Sequence, residues 1–319
     1  SYNHDSANHY SAYPFNGASD YGSVVYREGI YSGYRYTETR YEDTVLGVPS
    51  AGDFVYSDAV AYPFGYGLSY SDFEYSDMQM SFDAENDSFE ISVVVKNVRG
   101  MDGKNAVQLF LQKPYTDYDK DNGIEKASVE LIDFAKTETL AAGGDGETVK
   151  FTVPRRELAC YDSYGERTYI AENGVYYFTV GTDAHDATNN ILAAKNKTGM
   201  TDPFGAAASG DPALVKTAEV RDADGIYKKY STSANGTEIV NRFDDVDLRL
   251  NTLVNDTDKN ISYVSRNDWA GTVKFGFTAD GTLTDNYYRV TMTPALRSAM
   301  TQTAEGVTGD LPVMGSSAT

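Results

Sequence analysis

From Phe73 to Val180 the sequence passes through six short runs of β-forming residues, at 73–82, 89–95, 106–111, 129–135, 148–153 and 175–180. Between them stand clusters rich in Gly, Asp, Asn and Pro, which break pairing and turn the chain. The clearest run, Phe89-Glu90-Ile91-Ser92-Val93-Val94-Val95, alternates apolar and polar residues, so one face of a strand is dry and the other wet. Residues 83–87 read as the turn that precedes it. Several short strands at regular spacing, without intervening helical periods, predict a mainly β chain folded as an immunoglobulin-like two-sheet sandwich.

Ahead of the first strand lies Tyr62-Pro63-Phe64-Gly65-Tyr66-Gly67-Leu68-Ser69-Tyr70. Two glycines and a proline exclude a helix interior and suit a tight corner. Four aromatics and a leucine are too apolar for a free linker. The stretch is therefore expected to be a packed hinge between two folded pieces. An ordinary aromatic turn of a β-protein is the alternative.

The wording of this corner and of the segment before it is more specific. Arg27-Glu28-Gly29-Ile30-Tyr31-Ser32-Gly33-Tyr34-Arg35-Tyr36-Thr37-Glu38-Thr39, followed by the 62–70 stretch, resembles the end of the second domain of the glycoside hydrolase family 3 catalytic unit. The order and approximate spacing of the two motifs also match. That family contains β-glucosidases and β-xylosidases, and in it these signatures lead into a fibronectin-III-like domain. The resemblance implies four segments. Residues 1–71 would be the C-terminal part of an α/β sandwich domain, and 72–183 the fibronectin-III-like domain. Residues 184–236 would be a linker, with a helical turn ending at Lys195. Residues 237–319 would be a connector towards a (β/α)8 barrel outside the chain, as in members with swapped domain order. Both termini read as cuts inside a longer protein, with neither an initiator Met nor a signal-type segment at Ser1.

With 47 Asp plus Glu against 27 Lys plus Arg, the chain carries a net charge of −20. That balance argues against nucleic acid or an anionic membrane surface as a partner. No apolar run approaches the roughly 18–20 residues of a membrane-spanning helix. A single cysteine, Cys160, forms no internal disulfide and reads as a small core residue.

A retaining glycosidase of this family would use an Asp nucleophile on the barrel and a Glu acid/base on the second domain. By the implied order both lie outside these residues, so no catalytic, cofactor-binding or metal residue is assigned and no cofactor is implied. One segment competes. Asn267-Asp268-Trp269, after Ile261-Ser262-Tyr263-Val264, imitates a nucleophile context, so Asp268 reads either as a nucleophile or as a turn residue beside a packed Trp269. No strand–helix repetition surrounds it, which favours the turn. Asp117-Tyr118-Asp119-Lys120-Asp121-Asn122-Gly123 imitates a calcium loop, but its glycine comes one place late and Ser128 stands where a bidentate carboxylate belongs, so a solvated loop is expected. Asp222-Ala223-Asp224-Gly225 is a weaker imitation. His4, His9 and His185 are too dispersed for a metal set. Glu28, Arg35 and Glu38 are expected to form ion pairs at the domain junction.

The chain is thus expected to brace a family 3 glycosidase, packing against its barrel and α/β domains and meeting oligosaccharide only through them. Self-association is left open. The alternative is a non-catalytic β-sandwich module for carbohydrate binding or assembly, in which Tyr115 and Tyr118 are the obvious exposed aromatic pair.

Overall fold

A computed structural model of the chain describes residues 9–12, 23–26, 28–221, 226–242, 244, 247 and 263–269. The chain divides into two compact units. The smaller contains an antiparallel pair, β1 (His9–Ala12) with β2 (Ser23–Tyr26), in which Tyr10 faces Val25.

The larger unit opens with α1 (Tyr34–Leu46) and a single helical turn, α2 (Tyr56–Ala59). Strands β3 (Ser71–Asp83), β4 (Ser88–Gly100) and β5 (Ala106–Gln112) follow, then the short helix α3 (Asp117–Asn122). Next come β6 (Glu130–Lys136), β7 (Glu147–Pro154), β8 (Cys160–Tyr161), β9 (Tyr169–Glu172) and β10 (Gly174–Gly181). Helix α4 (Ala184–Ala194), β11 (Val215–Val220) and β12 (Ile226–Tyr230) complete the sequence of elements.

All six strand runs expected from the sequence are present. They form two antiparallel sheets, β3-β4-β7 and β11-β10-β5-β6, with a third small sheet β12-β9-β8. Alternation in β4 and β7 sends Phe89, Ile91, Val93, Val95, Val149, Phe151 and Val153 inward. They meet Val107, Leu109 and Leu111 of β5 and Tyr176, Phe178 and Val180 of β10. Burying each such side chain contributes about 1.5–3 kcal/mol, so this seam dominates the fold. In β3 the apolar parity changes from odd (Phe73, Tyr75) to even (Met78, Met80, Phe82). One extra residue must be absorbed between them, and the register indeed shifts between Ser76 and Gln79, with Asp77 at φ 50°.

β5 and β10 are dry on both faces. Their outer face carries Phe110, which packs with Val129 and with Ala184, Ala187 and Ile191 of α4. Residues 184–236 are therefore not a linker. They hold a buried helix, the edge strand β11 paired to β10 from Gly174↔Val220 to Thr179↔Val215, and β12 paired to β9. The Gly- and Pro-rich loop before β11, and the lysines of β12, concealed these elements in the sequence.

The 62–70 corner also differs from expectation. Within the unit only Pro63 is buried; Tyr62, Leu68 and Tyr70 are 63%, 92% and 90% exposed. Phe64 stacks on Tyr34 with ring centroids 4.5 Å apart, and its carbonyl accepts from Ala184 N–H at 2.9 Å. The corner is anchored there, while Tyr62 and Tyr70 remain largely exposed.

Candidate functional site

The polar chemistry of the larger unit concentrates around α1. Its sequence, Tyr-Arg-Tyr-Thr-Glu-Thr-Arg-Tyr-Glu-Asp-Thr-Val-Leu, has no apolar stripe, yet Tyr36 and residues 38–43 are all buried. A helix enclosed on every side by polar residues must find a partner for each of them. Gly47 closes it in the left-handed conformation (φ 70°), its N–H and that of Val48 reaching back to the Asp43 and Thr44 carbonyls.

Near this carboxyl-terminal end stand two consecutive acids, Glu42 and Asp43, where the helix dipole is already negative. Cations from distant positions offset them. Arg266 donates to Asp43 Oδ1 from Nε at 2.9 Å and from Nη2 at 2.6 Å, and to Glu42 Oε2 at 2.7 Å. Lys195 Nζ and Gln112 Nε2 donate to Glu42 Oε1 at 2.7 and 2.9 Å. Burial raises the Glu42 carboxyl, but Lys195 and Arg266 overcome it and hold it at about 2. For Asp43 burial wins over Arg266 and the net movement is upward. Glu42, Asp43, Lys195 and Arg266, with Tyr115 and Tyr177, line a cleft of about 530 Å³.

Trp269 fills the space beside Arg266. Its ring lies 5.1 Å from Tyr31 and 5.6 Å from Tyr36, and the Arg40 guanidinium sits 5.0 Å from both the Trp269 and Phe54 rings. Arg40 donates to the Tyr36 hydroxyl at 2.9 Å and the Ala51 carbonyl at 2.6 Å, so its charge is met by aromatic faces and dipoles. On another side of α1, Glu38 meets His185 Nδ1 at 2.9 Å and the Tyr56 hydroxyl, while Tyr41 donates to Asn189 Oδ1 at 2.8 Å.

Asp268 stands exposed in the turn before Trp269. Asp117 and Asp119 do not share a loop: they lie in the first turn of α3, Asp117 on Lys120 and Asp119 on Lys126 and the Thr116 cap. Lys126 also pairs with Glu172, and the Asp119 carboxyl is pushed up to about 7, chiefly by burial. Of the junction trio, Glu38 pairs with His185, and Glu28 is buried with Oε2 lacking a hydrogen-bond partner. Tyr115 and Tyr118 are half-buried and not an exposed pair; Arg266 lies 5.4 Å from the Tyr115 ring, and Tyr118 donates to Asp162 at 2.7 Å. Cys160 is half-buried in β8, its thiol pushed up by burial. His185 is buried in α4, whereas His4, the 222–225 acids and residues 270–319 lie outside the described residues. Sequence reasoning weighed Asp268, favouring a turn residue, and passed over Arg266. The one available signal was the uncompensated Glu42-Asp43 pair, which demanded a cation from elsewhere.

The sandwich is a fibronectin type III-like domain: residues 105–184 match the family model of that description. The chain is similar to thermostable β-glucosidase B of Acetivibrio thermocellus, 32% identical over 165 residues, covering 51% of this chain and 18% of that protein. It is also similar to an exo-α-(1→6)-L-arabinopyranosidase of Bifidobacterium longum, 28% identical over 183 residues, covering 57% and 21%. The structure of β-glucosidase 3B from Thermotoga neapolitana with α-D-glucose is 35% identical over 50% of this chain and 19% of its own, with a TM-score of 0.39. The matches take up about a fifth of the length of these relatives. With the two motifs at 27–39 and 62–70, they make the chain a segment related to glycoside hydrolase family 3, bearing its fibronectin type III-like domain.

Proposed function

We propose that this chain is the brace of a retaining, β-glucosidase-like hydrolase that removes terminal β-linked sugars, with both catalytic carboxylates outside its 319 residues. In this reading, residues 1–71 close an α/β sandwich domain and 237–319 lead towards a barrel. The exposed 62–70 aromatics would face those domains, and oligosaccharide would be met only there. The observation that carries the reading is Arg266, which fastens the later segment to α1 and neutralises Glu42 and Asp43, the two acids of the cleft. A carboxylate tied up in this way is a poor nucleophile or acid/base.

Hydrolysis of an aryl β-glucoside by the purified chain, checked by intact mass, tests this. Absence of turnover at the 35.0 kDa mass is expected. Turnover at that mass, abolished by Asp268→Asn, would overturn it.

A second reading, a carbohydrate-binding module, is favoured by one observation: Tyr62 and Tyr66 stack at 5.2 Å and Tyr66 meets Phe204 at 6.4 Å, all exposed. Retention on a cello-oligosaccharide column that Tyr62→Ser abolishes would establish it.

A further inference from the structure

The His185 ring is 1% exposed, and both its nitrogens face oxygen acceptors. Nε2 lies 2.9 Å from the Thr201 carbonyl oxygen, which only accepts, so Nε2 carries hydrogen. Nδ1 lies 2.9 Å from Glu38 Oε2, and the other oxygen of that carboxyl takes the Tyr56 hydroxyl hydrogen. One proton must therefore sit between Nδ1 and Oε2. Without it, a ring lone pair and a carboxylate oxygen would oppose each other in a site closed to solvent.

The titratable groups around the ring come from every element packed on it. Glu38 and Tyr41 belong to α1, Tyr56 to α2, and Asp183 to the N-cap of His185's own helix; the loop after α4 offers the Thr201 carbonyl. The Tyr41 and Tyr56 rings stand 4.3 and 4.0 Å away, centroid to centroid. Burial raises both phenols and lifts the Asp183 carboxyl to about 6. For His185 burial works downward, but the Glu38 hydrogen bond and charge, the Thr201 carbonyl and Asp183 together carry the ring above the ordinary histidine value.

We propose that His185 is a proton-operated fastener: with the shared proton in place it closes α1 onto α4, and alkaline loss of that proton releases the helix that precedes the sandwich. The inference does not depend on the glycosidase reading. Its sign follows from the upward shift. The contribution is complete below an unfolded-state value of about 6.5 and fades as pH rises through the higher folded value.

The test is a titration of the whole chain labelled with ¹⁵N-histidine, the three histidines being told apart with His185→Gln. Both ring nitrogens of His185 are expected to remain protonated at pH 7. The melting temperature should fall as the ring titrates at higher pH, and His185→Gln should lack that fall. A bare Nδ1 on His185 at pH 6.5, with the proton absent from the pair, would overturn the proposal; so would the same fall in wild type and variant. If the variant does not fold, the wild-type titration decides alone.

Discussion

Trp269 Nε1 donates to Asp43 Oδ2 at 2.9 Å, joining residues 226 positions apart in the chain. The same carboxylate holds Arg266 through its other oxygen, and Glu125 Oε2 accepts both the Arg266 N–H at 2.9 Å and the Tyr31 hydroxyl at 2.8 Å. Residues 263–269 therefore belong to the same packed body as α1, whatever path the chain takes between them. Val264, Trp269, Tyr31 and Tyr36 form a small apolar cluster at this junction.

Arg266→Leu should destabilise the larger unit by about 3–5 kcal/mol, because it takes the cation from the buried Asp43 carboxylate and leaves Glu42 with Lys195 alone. Urea denaturation measures this. Pairing Arg266→Leu with Asp43→Asn should recover part of the loss, since the charge left without its cation is then gone.

Glu42 makes the fold acid-sensitive. Its folded value of about 2 lies below the unfolded 4.5, so its contribution is full above about 4.5 and is lost as pH falls towards 2. Asp43, moved upward, works in the opposite sense. Glu42→Gln should be less stable than wild type at pH 7 and should show a flatter stability profile between pH 4.5 and 2, read by thermal melts across the series.

Phe178 is fully buried in the sandwich seam, with its ring 5.1 Å from Phe89. Phe178→Ala should cost about 3–5 kcal/mol, while Leu68→Ser in the exposed corner should stay within about 0.5 kcal/mol. Chemical denaturation of both variants side by side checks the contrast.

Gly100 ends β4 at φ 104°, and a Cβ there would lie 2.1 Å from the Tyr70 carbonyl oxygen. Gly100→Ala should lose about 1–3 kcal/mol and disturb the join between the aromatic corner and β3. A lowered melting temperature, with altered tyrosine fluorescence, is the expected reading.

The sandwich was legible because β4, β7 and β10 alternate or run apolar in a way only a dry strand face explains. Its smaller parts were not. β8 is two residues long, and β12 carries Lys228 and Lys229, which weaken its strand signal within a stretch that reads as a linker. Helix α1 reads in the sequence only as a helical turn or loop over 34–42, because its enclosure is satisfied by ion pairs and hydroxyls, which leave no 3.6-residue apolar period. The aromatic corner reads in the sequence as a packed hinge, whereas among the described residues only Pro63 of it is buried. Asp268 falls in a turn beside a buried Trp269, the turn reading that its sequence surroundings favoured.

The four-stranded sheet is finished by β11, thirty-odd residues past the end of β10. Trimming the chain to the 105–184 stretch that matches the domain family would strip β11 from β10, and β3 and β4 from β7. Each bared rim would offer a row of free N–H and C=O groups for other chains to pair with. Such a piece would clump, and the shortest form expected to stay apart from its neighbours runs from Ser71 at least to Tyr230, which keeps β12 on β9.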